Sequence, residues 1–265
     1  MSDFHVGSAA CAEEKLSEDI NIIKDDPFSF WFGGGDYVDL ISPSDKRWDA
    51  TTVSNKFTIK DLGNLGDAQI RYVAKILEPI KHKCLGLLMG NHEKEYMKHK
   101  EQEHLQVWLC KELNTINLGY CAFMDVMFTR NPKTKGAVLS DKSEARGFTR
   151  LRKRFFLHHG AGCANTEGGK MSRLIQFMLR FSKADVYMIS HLHDETGKRI
   201  STIDANERCD KIIDFEKVGV ISGGYLKTYQ QGMTSYGEVK GYAPTVLGAA
   251  CVTIKPDRNE VRAVV

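Results

Sequence analysis

Residues 84–93 read Cys-Leu-Gly-Leu-Leu-Met-Gly-Asn-His-Glu, an apolar run that ends in a glycine and three polar residues. The run has the length of a buried strand. Gly90 permits a tight turn at its end, and Asn91 and His92 then offer an amide oxygen and an imidazole, both of which bind metal ions. The stretch therefore predicts a strand that carries metal-binding side chains at its carboxyl end.

The same arrangement occurs after three other apolar runs, at residues 28–32, 155–157 and 186–189. In open α/β sheets, ligands bind beyond the carboxyl ends of the strands, so these four ends are expected to meet. The polar segments that follow the three runs are Gly33-Gly34-Gly35-Asp36-Tyr37-Val38-Asp39, His158-His159-Gly160 and Ser190-His191-Leu192-His193.

Between these runs, apolar residues recur at helical spacing over residues 70–80, 105–109 and 174–181. Further extended runs are predicted over residues 211–220, 249–254 and 261–265. Strands that alternate with helices and end in a strand-rich region indicate an α/β architecture. We expect one domain over residues 1–265.

The composition fits an ordinary globular protein, with 42% hydrophobic residues, 27% charged residues and a formal net charge of +3. The longest apolar stretch, residues 246–254, is far shorter than the roughly 20 residues of a membrane-spanning helix. The 7 cysteines form no CxxC pair, which favours a reducing compartment over a disulfide framework. The first residues show no secretory signal, and we expect a cytoplasmic protein.

Two short pairs extend the set of candidate ligands. Asp3-Phe4-His5 and His191-Leu192-His193 place two such residues at positions i and i+2, which point the same way in an extended segment. Carboxylate, amide and imidazole ligands without thiolate suit manganese, iron or zinc. Two metal ions that share a carboxylate are the usual device for hydrolysing phosphoesters.

The order of these motifs resembles that of the calcineurin-like metallophosphoesterases, whose pattern runs DxH, GDxxD, GNH(D/E), H and GHxH. One block alone would be weak evidence, whereas five in the family's order are specific. The matching blocks are Asp3-Phe4-His5, Gly35-Asp36-Tyr37-Val38-Asp39, Gly90-Asn91-His92-Glu93, His159-Gly160 and Ser190-His191-Leu192-His193.

The resemblance implies a four-layer α/β/β/α sandwich with two divalent metal ions (manganese, iron or zinc). It also implies a dinuclear metal-dependent phosphoesterase, with a phosphodiesterase favoured, in which a metal-bridging hydroxide attacks phosphorus. His92 would assist the leaving group, and Asp39 would orient His92. The implied ligands are Asp3, His5 and His193 for one metal, Asn91, His159 and His191 for the other, and Asp36 as the bridge.

Four features depart from the family pattern or leave it ambiguous. Leu40 stands where protein serine/threonine phosphatases have an arginine, which argues against a phosphoprotein substrate. Only Met1 and Ser2 precede the first motif, so the family's first strand is expected to be missing, as in a truncated chain. Ser190 replaces a glycine, and we expect this to be tolerated. His159 fits the family better than His158, because it directly precedes glycine.

Two alternatives stay open at this point, a narrower activity and a competing class. A nuclease or nucleotide phosphodiesterase would explain a basic run, since a local cluster of Lys and Arg attracts polyanions; a solvated loop and strand edge is the favoured explanation of the run. A non-catalytic protein-interaction scaffold would keep the fold without the activity. The basic residues are Arg130, Lys133, Lys135, Lys142, Arg146, Arg150, Arg152, Lys153 and Arg154.

Overall fold

The computed structural model describes residues 1–41, 45, 48–100, 105–129, 135–139, 150–181 and 183–265. Within these ranges the chain forms six α-helices and ten strands. The helices are α1 (Glu13–Asp25), α2 (Leu65–Leu77), α3 (Asn91–Lys100), α4 (Leu105–Glu112), α5 (Glu167–Arg180) and α6 (Tyr236–Val239). None of the described helices is long and apolar enough to cross a bilayer.

The strands belong to a mixed α/β fold, as the sequence predicts. The first five are β1 (Trp31–Gly33), β2 (Cys84–Leu87), β3 (Cys121–Thr129), β4 (Arg150–His158) and β5 (Val186–Ile189). The other five are β6 (Glu195–Ala205), β7 (Ile212–Gly224), β8 (Gly248–Ala249), β9 (Cys251–Lys255) and β10 (Glu260–Val264).

The largest sheet has the strand order β3-β4-β5-β7-β6, and β8 pairs with β7. Its central strands β4, β5 and β7 are parallel, whereas β3 and β6 run antiparallel to their neighbours at the two edges. A second, two-stranded sheet pairs β1 with β2 in parallel, and a third pairs β9 with β10 antiparallel. The strands that precede the candidate ligands are therefore paired in parallel, β1 with β2 and β4 with β5.

Three groups of buried apolar residues hold these elements together. One joins α1, α2 and α4 to β1 and β2. Another joins α5 to β4, β5 and β7. The third lies between the β1-β2 sheet and the large sheet. In it, Phe32 and Leu88 are grouped with Phe155, Val186 and Val220. Each strand that leads to a candidate ligand is thus fixed by apolar packing, which is the dominant favourable contribution to folding.

A buried lysine fixes the end of α1. Lys83 is only 8% exposed, and its Nζ donates to the carbonyl oxygens of Ile23, Lys24 and Asp26 at 2.5, 3.0 and 2.8 Å. The last carbonyls of a helix have no partner within the helix, and a cation interacts favourably with that negative end. Lys83, just before β2, therefore connects α1 to the sheet that carries Asn91.

The first strand begins later than the sequence predicts. The apolar run at 28–32 suggests a strand there, but β1 starts at Trp31 and Phe28 is 66% exposed. The side chain of Asp26 accepts hydrogen bonds from Phe28 N and Ser29 Oγ. Such a turn is a local alternative to a sheet, because it satisfies the same backbone groups.

Residues 1–6 form no named strand, yet backbone hydrogen bonds fix their position. Asp3 N donates to the carbonyl of Gly35, and His5 N donates to the carbonyl of Asp36. Both side chains are at most 3% exposed. The segment therefore lies alongside the turn after β1, and the candidate ligands Asp3 and His5 are not loosely placed.

Candidate metal centre

The structure brings the predicted ligands together at the carboxyl ends of β1, β2, β4 and β5. Three overlapping groups of three residues occur there. Within each group, the ligand atoms, one from each residue, lie within 4.8 Å of one another. Asn91 belongs to the same cluster, since its Oδ1 lies 3.0 Å from Nε2 of His159. The groups are Asp3, His5 and His193; His5, Asp36 and His92; and Asp36, His159 and His191.

Asp36 is shared by the second and third groups, and His5 is shared by the first and second. Asp36 has its Oδ2 4.0 Å from Nε2 of His5 and 3.4 Å from Nε2 of His159. Its Oδ1 accepts a hydrogen bond from the backbone N of His92 at 2.9 Å, which fixes the carboxylate plane. The Asp36 carboxylate is 1% exposed, and its Oδ2 thus faces the imidazoles of both His5 and His159. A bridging ligand requires this arrangement.

Buried polar atoms without hydrogen-bond partners also indicate that the cavity binds divalent metal ions. Among the described residues, Asp3 Oδ1, His5 Nε2 and His191 Nδ1 are buried without a hydrogen-bond partner. Burying a polar atom without a partner costs roughly 1–3 kcal/mol. A concentration of such atoms in one cavity is explained if they bind a ligand, and carboxylate with imidazole is a donor set suited to manganese, iron or zinc.

The two adjacent histidines at the end of β4, His158 and His159, have different surroundings. His159 is fully buried, and its Nδ1 lies 2.6 Å from the carbonyl of Gly34. A carbonyl only accepts, so Nδ1 carries the proton and Nε2 is left for the centre. His158 accepts a hydrogen bond from Gly160 N and packs against Phe177. The arrangement therefore places His159, rather than His158, among the candidate ligands.

His92 and Asp39 are neighbours, but the contact differs from the expected one. His92 Nδ1 lies 2.5 Å from the backbone carbonyl of Asp39. The Asp39 carboxylate lies instead 3.4 Å from Nδ1 of His5. Asp39 therefore orients the His92 ring through its main chain, which leaves Nε2 of His92 as the nitrogen that is free for proton transfer.

The local conformation of the ligand pairs contradicts the sequence prediction. Extended backbone was expected for both pairs, but Asp3 and His5 have φ of 52° and 50°, and His191 and His193 have φ of 70° and 46°. Asp36 has φ of 52° as well. Non-glycine residues rarely adopt this left-handed conformation, and such residues cluster at functional sites.

The prediction was wrong because long-range hydrogen bonds, and not a ladder, fix these segments. His191 N donates to Oδ2 of Asp3 at 3.1 Å, so the two pairs are tied to each other. Phe4, between the two ligands of the first pair, is fully buried against Tyr37 and Tyr225. The ligands still converge, but through turns instead of alternating strand positions.

Glu93 is a site residue for which the sequence motif gave no role. Its Oε1 accepts from Tyr37 N at 2.7 Å and from Val38 N at 3.4 Å. Its Oε2 accepts from Asp36 N at 3.0 Å and from Gly90 N at 2.9 Å. The carboxylate therefore joins the turn that carries Asp36 to the turn that carries Asn91. Its place in the Gly90–Glu93 motif was the only sequence signal.

The charges in the cavity shift the proton affinities of its residues. Burial alone would raise the pKa of Asp36, but His92, His159 and His5 hold it well below its usual range. Burial would lower the pKa of His159, whereas hydrogen bonding to Asp36 and its charge raise it to about 9. Burial and the charge of Asp36 raise the pKa of Glu93 to about 7. Without metal ions, the cavity therefore retains protons that metal binding would displace.

The basic run proposed to attract nucleic acid is largely paired where the structure describes it. Arg154 donates to both oxygens of Asp125 at 2.8 and 3.0 Å, and Arg152 lies 3.7 Å from the same carboxylate. Lys153 lies 3.4 Å from Asp185. Lys135 is exposed. Arg130, Lys133, Lys142 and Arg146, and the side chain of Arg150, lie outside the described residues.

Comparisons of the chain with models of protein families and with curated proteins give no match.

Proposed function

We propose that this chain is a dinuclear metal-dependent phosphoesterase of the calcineurin-like type, with phosphodiesters as its substrates. The observation that carries the proposal is the position of the Asp36 carboxylate between His5 and His159. The partnerless buried atoms of Asp3, His5 and His191 support the same conclusion. Asp3, His5 and His193 would hold one ion, Asn91, His159 and His191 would hold the other, and Asp36 would bridge both.

The four-layer α/β/β/α sandwich belongs to this proposal. Its support is the order of the buried groups: helices α1, α2 and α4 pack on β1 and β2, these strands share an apolar group with β4, β5 and β7, and α5 packs with the latter strands. A reducing, cytoplasmic location remains a prediction, based on cysteines that are all free.

Two bound metal ions would supply water activation and neutralise charge that develops on the phosphoryl oxygens. The protein's own contribution to the reaction is positional. His92 has its Nδ1–H tied to the carbonyl of Asp39, so in its imidazolium form the ring would donate the proton on Nε2 to the departing oxygen and be left as the neutral Nδ1–H tautomer. Glu93 holds the backbone on either side of the bridging carboxylate and keeps Asp36 in place as charge develops.

A phosphodiester is favoured over a phosphoprotein monoester. Leu40 occupies the position at which the protein serine/threonine phosphatases that the motifs resemble have an arginine. Leu40 is only 6% exposed and adds no charge to bind a second phosphate oxygen. A diester carries one negative charge fewer than a monoester dianion, so it needs less compensation from the protein.

The experiment is hydrolysis of bis-p-nitrophenyl phosphate beside p-nitrophenyl phosphate by metal-stripped protein refilled with Mn²⁺, Zn²⁺ or Fe²⁺. We expect metal-dependent cleavage of the diester that is lost in Asp36→Asn and retained in Asp214→Asn, an exposed control. Full activity of Asp36→Asn would refute the mechanism. Absence of cleavage with every metal would favour the non-catalytic scaffold.

A further inference from the structure

Three buried serines from distant parts of the chain meet beside the candidate centre. Ser2 and Ser190 are fully buried, and Ser222 is 1% exposed. The hydroxyl of Ser2 is hydrogen-bonded to that of Ser222, and Ser222 Oγ lies 2.9 Å from Ser190 Oγ. Ser2 Oγ also lies 2.5 Å from Oδ2 of Asp3. The serines thus form a continuous row of hydroxyls that ends on a candidate metal ligand.

The donors in the row follow from its contacts. A carboxylate oxygen only accepts, so the Ser2 proton is used toward Asp3. Ser222 Oγ donates to Ser190 Oγ, which fixes the Ser222 hydroxyl. The Ser222 hydroxyl is in contact with that of Ser2, so Ser190 and Ser222 hold the hydroxyl that donates to Asp3.

This row makes the two oxygens of Asp3 unequal. Oδ2 accepts from Ser2 Oγ and from His191 N, the latter at 3.1 Å. Oδ1 is buried without a hydrogen-bond partner and lies 3.6 Å from Nε2 of His193. Since Oδ2 is saturated by donors, the carboxylate cannot rotate without losing them, and Oδ1 stays directed at the centre.

We propose that Ser2, Ser222 and Ser190 are positioning residues that hold Asp3 in its metal-binding orientation. The proposal rests on the proposed dinuclear centre and adds a role for Ser190, which the motif comparison treated as a tolerated replacement of glycine. The Ser190 hydroxyl packs against Gly34, where an added Cβ would collide with it. The turn that carries Asp36 therefore leaves space for this hydroxyl.

The test is calorimetric titration of metal-stripped protein with Mn²⁺, which reads binding without activity. We expect two Mn²⁺ per chain in the wild type. Ser2→Ala, Ser222→Ala and Ser190→Gly should each weaken one of the two binding events about 10–100-fold, the usual effect of residues that support a metal ligand. The second event, at Asn91 and His159, should keep its affinity within about threefold.

Ser235→Ala is the matched control, because Ser235 is a buried serine whose hydroxyl bonds to the carbonyl of Thr228 and to Glu238 N instead of to the centre. Both affinities should be unchanged in it. Circular dichroism reports whether each variant is folded, and all three substitutions remove atoms without adding any. Wild-type affinities at both sites in folded Ser190→Gly and Ser2→Ala would overturn the positioning role alone. No Mn²⁺ binding by the wild type would overturn the proposed function together with it.

Discussion

Replacing Glu93 by glutamine should destabilise the protein far more than the near-identity of the two side chains suggests. Four backbone N–H groups point at the carboxylate, two at each oxygen, and the residue is fully buried. A glutamine has one oxygen, so it can satisfy only one pair of donors. Its NH₂ group must face the other pair, where donor meets donor.

The magnitude follows from the number of donors that lose an acceptor. Each buried N–H without an acceptor costs about 1–3 kcal/mol, so two donors give a loss of ~2–6 kcal/mol. Since a typical domain has a net stability of about 5–15 kcal/mol, the change removes a large share of it. If the amide faces Asp36 N and Gly90 N, the loss falls on the two turns that carry Asp36 and Asn91.

The assay is urea unfolding of the metal-free protein, followed by the fluorescence of tryptophan, at pH 8 so that the carboxylate is ionised. Glu207→Gln, an exposed residue in a turn, is the control and should change the unfolding free energy by less than ~0.5 kcal/mol. A loss below ~1 kcal/mol in Glu93→Gln, with an unchanged slope, would refute the view that this carboxylate holds the two turns together.

Three further predictions concern other parts of the account. Lys83→Met should lower the unfolding free energy by ~1–3 kcal/mol in urea titrations, because three carbonyls at the end of α1 lose their donor; wild-type stability would contradict this. The metal-free protein should lose on the order of 3 kcal/mol as pH rises from 6.5 to about 9, since folded His159 keeps a proton that the unfolded chain releases. A pH series of unfolding curves that is as steep in His159→Gln would exclude His159 as the cause. His92→Ala should lower kcat on a diester by roughly 10²–10⁴ and leave Mn²⁺ affinity unchanged; a parallel loss of metal binding would show that His92 is a ligand.

The strands that lead to the centre could be predicted because they are short, apolar and buried on both faces. The predicted run 186–189 coincides with β5, and the run 155–157 lies within β4. In such strands every side chain contributes to the apolar signal. The polar residue after the run then marks the carboxyl end of the strand, which is why polar side chains could be expected to meet there. The choice of candidate ligands among them came from the resemblance to the metallophosphoesterases.

Three peripheral elements, β3, β6 and α1, were not predicted from the sequence. β6 (Glu195–Ala205) and β3 (Cys121–Thr129) are the edge strands of the large sheet, and their residues alternate between partly buried and exposed over much of their length. α1 (Glu13–Asp25) buries only Leu16, Asp19 and Ile20. A search for apolar runs does not find β6 and α1, whose apolar face is this narrow. β3 differs, since seven of its nine residues are apolar, and its run was not among those predicted.

The finer chemistry of the centre depends on contacts between distant residues. The left-handed backbone of Asp3 and His191 is fixed by hydrogen bonds to one another and to the turn after β1, which spacing does not reveal. The same holds for Glu93, whose four donors come from two separate turns, and for Asp39, which meets His92 through its main chain. Residue types and motif order predicted the candidate ligands, but only the fold shows what orients them.

The most direct test of the central claim is the electron paramagnetic resonance spectrum of the protein loaded with two Mn²⁺ per chain. If Asp36 bridges the two sites, the ions lie about 3.5–4 Å apart, and their spins should give an exchange-coupled spectrum that disappears in Asp36→Asn. A simple six-line spectrum of isolated Mn²⁺ in the wild-type protein would contradict the dinuclear centre.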